Sequence, residues 1–211
     1  MFKGAFIRFV NWLKEDGRLR FILFFIDKIG IKKYLVHGAD FRKVIEDTKE
    51  GDCILIRAFL ESTTYLQGSK FTHAAMKVAD KFIIDATGEG VEDRDILELM
   101  VGSSRVMVRR PKVSPDVIKE MVSEAYGFVD RKTPYDWSFV ARSKNPTPLK
   151  DKKARKAVYC SEMYYWCLES ASPGLLNLRE RFGIMTITPD DIAKADNVFE
   201  TIIDIRGEKH G

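Results

Sequence analysis

Cysteine and histidine are both scarce, at three residues each in a chain of 211. The cysteines are Cys53, Cys160 and Cys167. An odd number without CxxC spacing excludes a disulfide framework and a zinc site built from paired cysteines. It suits a reducing compartment, so a cytoplasmic protein is expected. The histidines are His37, His73 and His210. Imidazole chemistry must use one of them, and His210 sits in a terminal stretch that ordinarily frays. A long apolar run is missing too: Leu23-Phe24-Phe25-Ile26 and its neighbours are bounded by Arg20 and Asp27, far short of the ~20 residues of a spanning helix. The opening residues are interrupted by Arg8 and lack a small-residue cleavage site, so no secretory signal is expected. Neither charge sign dominates, with 35 basic against 31 acidic residues and a net charge of +4. That balance alone gives no argument for nucleic acid. There is no internal repeat and no low-complexity tract.

What is present is an ordinary globular composition, 45% hydrophobic and 31% charged, enough for a soluble core. Residues 1–50 read as helical, with Phe6, Phe9, Val10 and Leu13, then Leu19, Ile22, Leu23, Ile26 and Ile29, at helical spacing. Tyr34-Leu35-Val36-His37 reads as the end of that stretch, and a third short helix is expected over Asp40–Lys49. The pattern changes at Gly51-Asp52. Cys53–Arg57 reads as a strand, and a polar loop runs through Ser62 and Gly68. His73–Ala79 and Phe82–Ala86 then form a hairpin turning at Asp80-Lys81, ended by Gly88 and Gly90. A further strand is expected at Arg105–Arg109. Ser114-Pro115 opens a helix whose apolar face is Val117, Ile118, Met121, Val122, Ala125, Tyr126 and Val129. A basic loop fills 142–157, a helix follows over Cys160–Glu169, Thr188-Pro189 caps another, and Val198–Ile205 reads as a last strand. This order predicts an α+β fold with a mostly antiparallel sheet.

Cys160 stands where the basic loop gives way to an apolar helix. First-turn N–H groups and the helix dipole favour a thiolate there and can stabilise an oxyanion. The competing reading is a small buried hydrophobe, the usual fate of a free cysteine. Cys53, in an apolar strand, and Cys167, between Trp166 and Leu168, read as core. His73 begins a strand after a polar loop, and either a core histidine or a general base fits that position. Asp85 interrupts the apolar run Phe82-Ile83-Ile84, and in the expected hairpin it lies near the same end as His73, where a carboxylate orients an imidazole. Glu89, among glycines, competes for that role. His37 reads as a histidine at a helix C-terminus.

Taken in order, these stretches resemble a family. Gly51-Asp52-Cys53-Ile54-Leu55, Thr72-His73-Ala74-Ala75-Met76 and Ile84-Asp85-Ala86 look like the front half of the permuted NlpC-like, papain-like cysteine hydrolases. Tyr135-Asp136-Trp137-Ser138-Phe139 and Tyr159-Cys160-Ser161-Glu162 look like the back half. The histidine precedes the cysteine helix, as it also does in the distantly related lecithin-retinol acyltransferases. The resemblance covers about residues 51–205. It implies a papain-like core in permuted order, its sheet packed on the cysteine helix, in a catalytic domain over 51–211. It implies Cys160 as nucleophile, His73 as base and Asp85 as third member, where the family leads one to expect a glutamate. Tyr135, Asp136, Tyr159 and Ser161 are implied to line the site. The implied chemistry is acyl transfer through a thioester with no metal or organic cofactor. Peptide, cell-wall and lipid acyl compounds are all open as substrates, and an inactive binding protein of the same fold is the reading from another class.

Residues 1–50 lie outside the resemblance. Their aromatic and basic character suits a lid, an anchor or a packing extension. Residues 1–30 and the basic loop 142–157 are the expected contacts with an anionic membrane. That loop lacks interleaved aromatics, so nucleic acid is not expected as a partner.

Overall fold

The computed structural model describes residues 34–36, 38–58, 70–136, 156–177, 179–181 and 184–209. The expected helices before residue 34, the polar loop, most of the basic loop, and His37 and His210 lie outside them. The chain divides into two units, Leu35–Glu208 and Met1–Tyr34 with Lys209–Gly211. Everything below concerns the first.

Its described helices are α1 (Gly38–Asp47), α2 (Ile96–Met100), α3 (Pro115–Asp130), α4 (Cys160–Ala171) and α5 (Pro189–Lys194). Its sheet consists of β1 (Cys53–Ala58), β2 (His73–Lys77), β3 (Phe82–Thr87), β4 (Gly90–Asp95), β5 (Ser103–Pro111) and β6 (Phe199–Arg206), in the spatial order β4-β3-β2-β1-β5-β6. Every pairing in it is antiparallel. A short separate hairpin joins Arg179–Arg181 to Ile184–Thr186.

Both faces of the sheet are covered, which is why its central strands read as continuous apolar runs. Cys53, Leu55, Ala74, Met76, Ile84 and Ala86 pack with Met121, Ala125 and Phe128 of α3 and Met163, Tyr164 and Cys167 of α4. The alternate residues Ile54, Ile56, Ala75, Ile83, Val106 and Val108 form a second cluster with Val44 of α1 and Ile96, Leu99 and Met100 of α2. The period of two along each strand sorts the side chains between the two cores. Each fully buried aliphatic or aromatic side chain is worth about 1.5–3 kcal/mol of transfer free energy. Both central strands are thus held from two sides, and the start of β2, where His73 stands, inherits that rigidity.

Two expectations are corrected and one strand is added. Tyr34-Leu35 is a two-residue strand rather than a helix end. Val36 then donates its N–H to the Ser103 carbonyl (2.9 Å) and is buried in the second core, a tertiary pull that holds this stretch extended. On α3 the buried line is Met121, Ala125 and Phe128, while Tyr126 is exposed. The helix buries Phe128 in the first core and leaves the more polar tyrosine exposed. Finally, Gly88 and Gly90 end the hairpin as expected, but the sheet gains a strand beyond those expected. They turn the chain into β4, whose polar run Glu92-Asp93-Arg94 suits an edge strand. Gly90 adopts φ +126°, and a Cβ there would meet the Thr133 carbonyl oxygen at 2.9 Å, so this approach requires glycine.

Candidate active site

The cysteine is presented by a braced helix start. Tyr159 is extended and Cys160 is the first residue of α4. The lead-in is pinned by a parallel bridge between Tyr135 and Val158, with Val158 N–H donating to Pro134 O (3.1 Å) and Asp136 N–H to Val158 O (3.0 Å). The Glu162 carboxylate accepts from Tyr159 N–H (3.4 Å) and from Trp166 Nε1 (3.4 Å). The side chains on either side of Cys160 clasp the backbone of one residue: Ile187 N–H donates to the Tyr159 hydroxyl (3.2 Å), and Ser161 Oγ donates to Ile187 O (3.0 Å). Four residues after the cysteine, the Tyr164 hydroxyl donates to Gly51 O (2.9 Å) and ties α4 to the turn before β1.

The histidine arrives from the other side on an equally fixed strand. Asp190, in the first turn of α5, accepts the N–H groups of Lys70 (3.1 Å) and Phe71 (2.9 Å) just ahead of β2. Thr72 N–H donates to Ile56 O (2.8 Å), and Thr72 Oγ1 accepts from Ala58 N–H (3.0 Å). His73 is the first residue of β2. The register of β2 and β3 sets Ala75 opposite Asp85, so Asp85 is the diagonal neighbour of His73. The contact is direct, with His73 Nε2 2.7 Å from Asp85 Oδ2. An aspartate therefore reaches the ring without an intervening water. The Asp85 carboxylate is fully buried and also receives Arg94, from Nε to Oδ1 (3.1 Å) and from Nη2 to Oδ2. Cys160 is near enough to the His73 imidazole for its charge to act on the ring. With Nε2 turned to Asp85, Nδ1 is the ring nitrogen left to meet the sulfur.

The electrostatics follow from this packing. Burial alone would push the His73 imidazole down, but the negative charge of a Cys160 thiolate and the hydrogen bonds with Asp85 and Cys160 together hold it well above its ordinary value. Burial pushes Asp85 up, and hydrogen bonds from His73 and Arg94 more than offset it, leaving the carboxyl below its usual range. Burial likewise opposes the charge on Arg94, and its contact with Asp85 reverses that and raises it. Cys53 and Cys167 are fully buried, and burial pushes both thiols well up, which fits two core residues.

The structure thus brings Cys160, His73 and Asp85 together. Tyr135 and Asp136 are placed against the lead-in to the cysteine, and Tyr159 and Ser161 serve as its clasp. Glu89 does not join them: it is exposed in the turn before β4, its N–H donating to Thr87 Oγ1 (3.2 Å). Two contributors escape a linear reading. Arg94 lies in a run of mixed charge that reads as solvated edge, and Asp190 looks like a helix-start acid. Among the described residues, no three His, Cys, Asp or Glu side chains converge as a metal-binding group.

No curated protein matches this chain. Among solved structures, the metalloprotein yiiX from Escherichia coli O157:H7 shares the fold, with a TM-score of 0.53 at 15% sequence identity over 78% of this chain and 99% of that one. A family model, that of the permuted papain-like amidases, matches residues 47–203, from the last residue of α1 into β6, and so takes in every residue of the cluster. With histidine strand before cysteine helix and an antiparallel sheet between, the chain is a cysteine hydrolase and belongs to the YaeF/YiiX, or C92, family of permuted papain-like amidases.

Proposed function

We propose that the protein cleaves an amide bond through a thioester acyl-enzyme, with Cys160 as nucleophile, His73 as acid and base, and Asp85 as the group that orients the imidazole. The observation that supports this most is the imidazole itself, held at Nε2 by a buried carboxylate, with a cysteine at the first position of a helix near enough for its charge to act on the ring. The Cys160 thiolate attacks the carbonyl carbon and forms a C–S bond. The carbonyl electron pair moves to oxygen, and the first-turn N–H groups of α4, which lack intrahelical acceptors, are the donors at hand for that oxyanion. Collapse breaks the C–N bond as His73 gives its proton to the leaving nitrogen. Water then attacks the thioester with His73 taking its proton, the C–S bond breaks, and the thiolate returns. Kinship with the NlpC-like hydrolases and the lecithin-retinol acyltransferases belongs to this proposal, as does the use of an acceptor other than water.

The test is the pH dependence of iodoacetamide labelling at each cysteine, read by mass spectrometry. Cys160 is expected to label fast below about pH 8, where an ordinary thiol of pKa ~8.5 is sluggish, and Cys53 and Cys167 to stay protected. His73→Ala is expected to slow Cys160 labelling near pH 6 by about 100-fold. A Cys160 that labels as an ordinary thiol, indifferent to His73, would sink the proposal.

A further inference from the structure

Asp85 is the most enclosed charge in the cluster, and it does not face His73 alone. Oδ2 takes the imidazole Nε2 at 2.7 Å and also Arg94 Nη2, while Oδ1, the oxygen the histidine does not use, takes Arg94 Nε at 3.1 Å. A carboxylate held at one oxygen keeps a broad torsional well about its terminal bond, whereas a guanidinium fork on both oxygens fixes its plane. We propose that Arg94 is a positioning residue of the thiol site, its fork locking the Asp85 carboxylate so that Oδ2 stays on His73 Nε2 and the ring keeps Nδ1 toward Cys160. This rests on the Cys160–His73 reading given above.

The surroundings favour that role over an ordinary surface ion pair. The Arg94 side chain is 24% exposed and Asp85 is fully buried. Glu92, opposite Asp85 in the β3–β4 register, competes for the guanidinium only at 3.9 Å, is 42% exposed and already accepts from Thr87 Oγ1 (3.2 Å). Glu98 of α2 adds a weaker pull on Arg94. Among the described residues, His73 from β2 is the other charged partner that acts on Asp85. The fork therefore belongs to Asp85. Without it, a buried carboxylate keeps one donor, swings more freely, and supports the imidazolium less well. A less stable imidazolium means that the thiolate forms only at higher pH.

The experiment is Cys160 labelling by iodoacetamide from about pH 5 to 9 on the full chain, in wild type, Arg94→Ala, Arg94→Lys, Asp85→Ala and the Asp85→Ala/Arg94→Ala double variant. Arg94→Ala is expected to slow labelling near pH 6 by about 10-fold and to move the rise of the profile to higher pH, as Asp85→Ala does. The double variant is expected to be no slower than Asp85→Ala, and Arg94→Lys to recover only part of the loss. An unchanged profile with only a lower melting temperature would make Arg94 a structural residue and overturn the proposal. So would an additive double variant, which means that Arg94 acts on the thiolate directly, or full recovery in Arg94→Lys, which means that charge suffices without the fork. Arg94→Gln replaces Arg94→Ala if the latter does not fold. A wild-type Cys160 that ignores His73 brings down the nucleophile–base reading and this inference with it, and is distinguishable because it shows before any Arg94 variant is made.

Discussion

Among the described residues, two buried aspartates are each clasped by an arginine, and one of them meets an imidazole. Asp52, 1% exposed, takes Arg110 through Nε (2.9 Å) and Nη2 (2.7 Å), and its third donor is the N–H of Lys49 (2.8 Å). Asp85 takes Arg94 in the same forked way, and its third donor is His73. The pairs obey the same physics: a carboxylate is tolerated in the interior when charge-assisted donors replace its water. The third donor separates them. A backbone N–H cannot move its proton, so the Asp52 pair fixes a turn. That turn matters, because Gly51 beside it accepts from Tyr164 of the cysteine helix. An imidazole can move its proton, so the Asp85 pair is connected to chemistry.

Removing each acid should separate the two sharply. Asp52→Ala leaves a partly buried guanidinium without its carboxylate and is expected to cost about 2–4 kcal/mol in urea unfolding, with Cys160 labelling within about 2-fold of wild type. Asp85→Ala is expected to do the reverse, slowing labelling near pH 6 by about 10-fold for a smaller loss of stability. Equal loss of reactivity in both variants would erase the distinction.

The pH dependence of stability sharpens the comparison, because only the Asp85 pair is coupled to a histidine. His73 is held above its ordinary value, so its contribution is complete below about pH 6.5 and is lost as pH rises through the raised folded value. Asp85 is held below its ordinary value, so its contribution is present above about pH 3.9 and is lost as pH falls through the depressed value. Unfolding free energies on the alkaline side are expected to decline by about 1 kcal/mol more in wild type than in His73→Ala. The smallest effect is expected from Asp190→Ala, which frees the N–H groups of Lys70 and Phe71 ahead of β2. A 2- to 5-fold slowing of Cys160 labelling is the rough expectation, recovered in part by Asp190→Asn, which keeps an acceptor. No change in rate would limit Asp190 to capping.

Much of the fold was legible because its signals are local. Ser114-Pro115 and Thr188-Pro189 announce helices by the chemistry of unpaired N–H groups, and both side chains accept the expected hydrogen bonds, from Val117 N–H and Asp191 N–H. Asp80-Lys81 turns the hairpin of β2 and β3 as expected. What escaped depended on partners far along the chain. Strand β4 is too polar to show its period, and it exists because β3 offers it an edge to pair with. Tyr126 and Phe128 both fit an apolar face at helical spacing, and only the packing of α3 into the core selects the phenylalanine. Asp85 could be preferred to Glu89 from sequence because it stands inside a strand, but its direct reach to the imidazole depended on the diagonal set by the register.

By itself, then, the sequence determined most of the element order and the short list from which the chemistry had to be drawn, since three cysteines and three histidines leave few choices. Local propensity and scarcity act within a short stretch of chain, so they can be read along it. Tertiary structure alone decided which acid meets His73, that Arg94 holds that acid, and that the backbone of Ile187 is held by both neighbours of Cys160. Those are contacts across the sheet and between helix and loop, fixed by strand register and helix packing, which no spacing along a single chain encodes.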